Sequence, residues 1–316
     1  MSSITFADVE AAAARIAPHA HRTPVLASHS IDDAAGCRIV FKCENFQRVG
    51  AFKFRGACNA VWSLDDAVAK RGVVTHSSGN HGAAVALAAK TRGIPAHVVV
   101  PGGSNAAKVA GIKVFGAKLY FCAPTLAARD EMAERIARET GATLIHPFTH
   151  PHVIAGQGTA ARELLEEVPD LDAIVTPIGG GGLIGGTSIV ARGIKPGIRL
   201  FGAEPEGASD AFESLRAGER RVDLEPKTIS DGLRATIGAI NFDLLREFGV
   251  EVVMASDAET VAAMRLMWER LKIIVEPSSA VALAAILRNR DRFAGLHVGV
   301  IVTGGNVDLD QLPWKT

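Results

Sequence analysis

The sequence predicts an α/β protein of two doubly wound domains, and three observations carry that expectation. Short β-branched runs alternate with helical stretches along the 316 residues. Gly93, Gly116 and Gly141 stand where the helices between such runs should end. Apolar residues make up 48% of the chain, enough to cover both faces of a buried parallel sheet.

Taken in order, Thr5 and Asp8 have the spacing of a capping box that opens an Ala-rich helix ending near Pro18. Residues 38–44, 73–76, 96–100, 118–122 and 143–146 read as strands, with helices over 80–92, 106–115 and 125–140 between them. A second series opens with a helix over 152–168 and continues with strands at 173–178, 199–204, 250–255 and 297–303. Its later helices are expected over 257–271, capped by Asp257, and over 277–288. The expected division is a small domain, 51–148, inserted into a large one made of 1–50 and 149–316.

Lys plus Arg equals Asp plus Glu at 34 each, without long single-sign blocks, so a nucleic-acid or membrane-surface role has no electrostatic footprint. The expected partner is a small molecule. Cys37, Cys43, Cys58 and Cys122 form no CxxC pair, and the N-terminus lacks a basic run, which together suit a cytoplasmic location. The uncharged stretch 173–191 is long enough to test as a membrane span, but Pro177 and six glycines make it a strand followed by a loop.

Several motifs carry chemistry. Lys53 lies between Phe52 and Phe54, rings able to desolvate an amine so that it attacks an aldehyde; a surface lysine is the alternative. Ser77-Ser78-Gly79-Asn80-His81-Gly82 joins a predicted strand to a helix, a geometry that binds a carboxylate or phosphate, though an ordinary N-cap has the same residues. Gly179-Gly180-Gly181-Gly182 follows a buried strand and precedes a helix starting near Leu183, where bare amides can approach an oxyanion. Glu204 and Asp210 flank a turn that suits a hard divalent cation, with solvated loop acids as the alternative. Arg129 opposes the dipole of its helix at some cost in stability, and an ion pair with Asp130 or Glu131 is the ordinary reading of such a residue.

The lysine segment, the Ser-Ser-Gly-Asn-His-Gly loop, the tetraglycine loop, Val275-Glu-Pro-Ser-Ser279 and Thr303-Gly-Gly-Asn306 occur in the order found in fold-type II pyridoxal-phosphate enzymes. The chain most resembles their branch of serine racemases, serine/threonine dehydratases and 3-hydroxyaspartate dehydratases. The resemblance implies the tryptophan synthase β-like architecture and pyridoxal 5'-phosphate as cofactor. By matching position it makes Lys53 the cofactor lysine and acid/base, and Ser78 the base on the opposite face. Phe52 would pack on the cofactor ring, Asn80 bond its 3-hydroxyl, Gly179 to Gly182 hold its phosphate, and Thr303 face its pyridine nitrogen. Relatives often have serine at the last position.

Ser77, Ser78, Asn80 and His81 would take the substrate α-carboxylate, and Arg129, helped by His76, the second carboxylate of a diacid. Glu204, the Ala208 carbonyl and Asp210 would hold Mg²⁺ or Ca²⁺, and a homodimer is expected. A hydroxyl opposite the pyridine nitrogen leaves the ring a weaker electron sink than a carboxylate would, so loss of a β-leaving group is favoured. The expected reaction is therefore dehydration and deamination of 3-hydroxyaspartate or serine, with serine racemase activity beside it. A broad serine/threonine dehydratase and a non-catalytic cofactor-binding protein are the alternatives.

Overall fold

The computed structural model describes residues 4–104 and 106–314. Its strands are β1 (Val25–Ala27), β2 (Arg38–Cys43), β3 (Val73–His76), β4 (Ala96–Pro101), β5 (Lys118–Cys122), β6 (Thr143–Leu144), β7 (Ala173–Pro177), β8 (Arg199–Pro205), β9 (Glu251–Ala255) and β10 (His297–Val302). They form two sheets, ordered β1-β2-β10-β7-β8-β9 and β5-β4-β3-β6. Only β1 runs antiparallel to its neighbour. The smaller sheet draws all its strands from residues 73–144, between β2 and β7.

Every residue of β7 and β10 is buried, as expected of central parallel strands covered on both faces. One apolar core packs Ile39, Phe41 and Val300 against helix Pro277–Arg288, and another packs Ile174 and Ile301 against helices Pro151–Glu167 and Gly182–Ile194. The two latter helices cross at Gly158 and Gly186, whose backbones approach too closely for any side chain. No helix among the described residues is long and apolar enough to cross a membrane.

The capping box at Thr5 is present, with the Asp8 carboxylate accepting the Thr5 amide at 2.7 Å. Other expectations need correction. The cap of helix Asp257–Leu271 is Ser256, in a box with Glu259, and Asp257 is the first helical residue. β6 stops at Leu144: the Ile145 carbonyl accepts the Thr75 hydroxyl at 2.7 Å in place of a strand amide, and His146 beyond it accepts the amides of Phe148 and Thr149. Strand β1, helix His29–Ala35 and helix Lys53–Trp62 add to the elements expected from the sequence.

Parallel topology delivers the chemistry to one edge. β3 leads into Ser77, β7 into the glycines, β8 into the Glu206 turn and β10 into Thr303. Each of these lies at the carboxyl end of its strand, where open α/β sheets bind ligands.

Candidate active site

Lys53 is the first residue of a helix whose preceding residue, Phe52, provides no side-chain cap. Its ammonium donates to the Pro147 carbonyl at 3.1 Å and lies 5.0 Å from the centre of the Phe52 ring. Burial pushes its pKa down to about 8, against the opposing pull of Glu276. An amine in that range is neutral often enough to act as nucleophile or base. Phe54 faces elsewhere, fully buried in the core beside the small sheet.

The segment Pro147–Phe148 links Lys53 to the tetraglycine loop. A side chain at Gly180 would run into the Phe148 ring, and one at Gly182 would meet the Phe148 carbonyl at 3.1 Å. Gly181 has φ +88° and caps helix Gly182–Ile194, whose first amides therefore face no capping side chain. The loop is pinned at the Gly180 carbonyl, which accepts from Asn241 Nδ2 at 2.6 Å and Gly238 N at 3.1 Å. It is a packed turn rather than a linker, with the helix starting one residue before Leu183.

From the other sheet, Gly79 caps helix Asn80–Arg92, again without a side-chain acceptor. Ser77 Oγ accepts the Gly79 amide at 3.2 Å, and Ser77 and Ser78 are half-buried at the loop. His81 is buried, and its Nε2 faces the Ile145 carbonyl at 3.3 Å, which requires the proton on Nε2. Burial first, then the Lys53 charge, keeps this imidazole neutral. Asn80 Nδ2 donates to both oxygens of Glu276, at 3.0 and 3.2 Å, while its Oδ1 accepts from Asn306 Nδ2 at 2.8 Å.

Glu276 belongs to the Val275-Glu-Pro-Ser-Ser279 motif. It is buried, and desolvation with Asp231 nearby raises its pKa to about 7. Thr303 is buried too, its hydroxyl 2.8 Å from that of Ser279, and its carbonyl accepts from Phe52 N at 2.9 Å. The Thr-Gly-Gly-Asn segment thus touches both the Lys53 segment and the Asn80 loop.

Near Lys53 lies a histidine cluster, of which His76 alone was expected at the site. His76 Nε2 is 3.2 Å from the Asp130 carboxylate, and the His76 and His146 rings meet edge to face at 5.2 Å. Burial lowers both pKa values to about 4. His76, Asp130 and His146 bring ligand-type atoms within 4.8 Å of one another. However, His146 Nδ1 accepts the amides of Phe148 and Thr149 at 3.4 and 3.2 Å, which leaves the ring proton on Nε2. That tautomer makes Nε2 a hydrogen-bond donor and disfavours metal ligation. Arg129 is close enough to depress His76, and its Nε donates to Thr125 O of its own helix at 3.3 Å. Among the described residues it forms no ion pair with Asp130 or Glu131; Asp130 faces His76 instead.

At the end of β8, Glu204 is fully buried and accepts the amides of Ala211 and Phe212 at 2.9 and 2.8 Å. Asp210 accepts Ile237 N at 2.7 Å. Burial first, and Asp210 second, raise the Glu204 pKa to about 8, while burial raises that of Asp210 to about 6. Ala208 and Asp210 line a cavity of ≈ 270 Å³. Two desolvated acids without a buried base fit an oxygen-coordinated divalent cation.

A desolvated lysine amine, two uncapped helix starts and a buried hydroxyl pair supply the donors that an aldehyde, a phosphate and a pyridine nitrogen require. Fold and site together define a pyridoxal-phosphate-dependent enzyme. A family model described as pyridoxal-phosphate dependent enzyme matches residues 16–304, and the chain belongs to that family. It is 49% identical over 311 residues to a beta-hydroxyaspartate dehydratase from Paracoccus denitrificans (strain Pd 1222), covering 98% of this chain and 99% of that one. It is 46% identical over 316 residues to a serine racemase from Dictyostelium discoideum, covering 99% and 98%. The solved structure of maize serine racemase superposes with a TM-score of 0.95 at 46% identity, covering 98% of this chain and 95% of that one.

Proposed function

We propose that this enzyme removes water from a 3-hydroxy amino acid by β-elimination, favouring 3-hydroxyaspartate or serine, with serine racemase activity as a second outcome. The observation that carries the reading is the position of Lys53, whose buried amine shares the Pro147–Phe148 segment with the glycine loop. The names of relatives at 46–49% identity, a beta-hydroxyaspartate dehydratase and a serine racemase, support the substrate class.

Bound pyridoxal phosphate supplies an electron sink for the pair left when the Cα proton departs. In the proposed arrangement the amides of Gly179 to Gly182 hold its phosphate, Asn80 its ring hydroxyl and Thr303 its ring nitrogen, while Phe52 packs against the ring. Lys53 takes the Cα proton at Nζ and can return one to the departing hydroxyl. Ser77, Ser78, Asn80 and His81 orient the α-carboxylate. Ser78 is the proton carrier on the opposite face, which racemisation requires. Arg129 and His76 receive a second carboxylate. Glu204, Asp210 and the Ala208 carbonyl hold Mg²⁺ or Ca²⁺ away from the chemistry. The proposal includes the inserted small domain 51–148, a homodimer and a cytoplasmic location.

The test is an ammonia-release panel with L- and D-serine, L-threonine and the four 3-hydroxyaspartate isomers, run with Mg²⁺ and with chelator. Release is expected from at least one 3-hydroxyaspartate isomer and from serine. Release from threonine and serine alone would favour the broad dehydratase. Visible cofactor absorption with no ammonia from any substrate would favour a binding protein.

A further inference from the structure

Lys53 needs a fixed position, and the helix it begins is tied at its entry by Phe52 N, which donates to the Thr303 carbonyl at 2.9 Å, and packed by eight buried residues. Val49 and Gly50, just before it, have φ of 57° and 68°, which is strained for a β-branched valine. No side chain caps the helix, and a cation in its first turn opposes the helix dipole. A further, charged hold comes two residues later. Arg55 is fully buried and uses all of its guanidinium: Nε donates to Glu44 Oε2 at 2.7 Å and Nη2 to Glu44 Oε1 at 2.8 Å. Nη1 and Nη2 also meet the two oxygens of Glu163 at 2.7 and 2.8 Å, and Nη1 reaches Thr159 Oγ1 at 3.2 Å. Lys42, also fully buried, donates to Glu163 at 2.7 Å and to the Thr23 carbonyl at 2.7 Å.

The four charges balance, and they come from four places: β2, the turn after it, the Lys53 helix and helix Pro151–Glu167. We propose that Arg55 is a positioning residue for Lys53, and that the Lys42–Glu44–Arg55–Glu163 network, buried except at the edge of Glu163, is a clamp fixing the lysine helix to the large sheet. A guanidinium fork shared by two carboxylates sets orientation as well as distance, which a point-charge ammonium does not. The neighbouring contacts point the same way. Gly56 N donates to Gln157 Oε1 at 3.1 Å and Asn59 Nδ2 to His152 O at 2.7 Å, so the same helix pair is registered along its length. Among the described residues no hydrogen bond or ion pair joins Arg55 to the loop Ser77 to Gly82, so its loss should alter the placement of Lys53 rather than the binding of substrate.

The clamp rests on Lys53 being the cofactor lysine and is read without any substrate, so an error in the assigned substrate leaves the test intact. Capture of pyridoxal phosphate by the full chain, followed as visible absorption against pH, should be about 100-fold slower in Arg55→Lys, the cost of a displacement on the order of 1 Å. Its pH midpoint should rise from about 8 towards 10.5 as water reaches the loosened lysine. With a substrate in hand, kcat should fall while KM stays within about twofold. Wild-type capture and midpoint in Arg55→Lys would overturn the proposal. Should that variant fail to fold, Glu44→Gln keeps the shape of the pair and lies outside the field that shifts Lys53. A raised midpoint there supports the clamp, and an unchanged midpoint overturns it.

Discussion

Lys53, half-buried, and Arg55, fully buried, stand two positions apart on one helix, yet their acidities move in opposite directions. Arg55 is pushed up because Glu44 and Glu163 surround it, whereas Lys53 is pushed down to about 8 because only Glu276 opposes its burial. The supply of carboxylates, not depth, separates the structural base from the reactive one. The same rule sorts the rest of the molecule. Arg129 has no carboxylate partner among the described residues, while Glu204 and Asp210 are buried acids raised above their ordinary range with no buried base beside them.

The largest effect should come from removing the under-supplied base. Lys53→Ala is expected to lower ammonia release by at least about 1,000-fold, since it deletes the group that moves the proton. Near wild-type turnover would break the contrast at its centre. In the intact protein, cofactor capture should accelerate as pH rises through about 8, because the neutral amine is the reactive form. A midpoint near 10.5 would mean that Lys53 is solvated after all.

Arg129→Ala should show the next effect, and only on one class of substrate. An arginine–carboxylate contact in a desolvated site contributes on the order of 2–4 kcal/mol, so kcat/KM for 3-hydroxyaspartate should fall by about 30-fold or more while that for serine holds. Equal losses on both would show that Arg129 answers to its own helix and not to the substrate.

How much of this could be read in advance depended on distance along the chain. Strands β3, β5 and β7 are short local patterns and were found within a residue, and the glycine loop announced itself by composition. The Arg55 clamp was invisible, because Glu44 and Glu163 lie 11 and 108 residues from Arg55, and no local pattern says which acid meets which base. Helix Lys53–Trp62 was missed for a related reason: with eight buried residues it has little polar face to mark its period. His146 was passed over as the end of a strand. Its following amides turn back onto its own ring, and only the fold reveals that contact.

The acid pair should give the smallest effect and the clearest sign. Glu204 and Asp210 have folded pKa values of about 8 and about 6, above their ordinary values of 4.5 and 3.8. The folded chain thus binds their protons more tightly than the unfolded chain does. Their contribution to stability is fully present below about pH 4 and is lost as pH rises through 6 and then 8. With chelator, unfolding should become progressively easier across that window. Mg²⁺ or Ca²⁺ should flatten the dependence by meeting the charge as the protons leave. Asp210→Asn should remove the cation response and leave the metal-free protein as stable as the parent or more so at pH 8. The Arg55 clamp predicts the reverse slope: Glu163 is held below its ordinary range by Arg55 and Lys42, so its contribution is present at neutral pH and disappears only in acid. Thermal unfolding against pH, with and without the cation, separates the two. If chelated protein grows more stable from pH 5 to 8 with Mg²⁺ adding nothing, Glu204 and Asp210 are balanced acids like Glu163, and the cation site is lost.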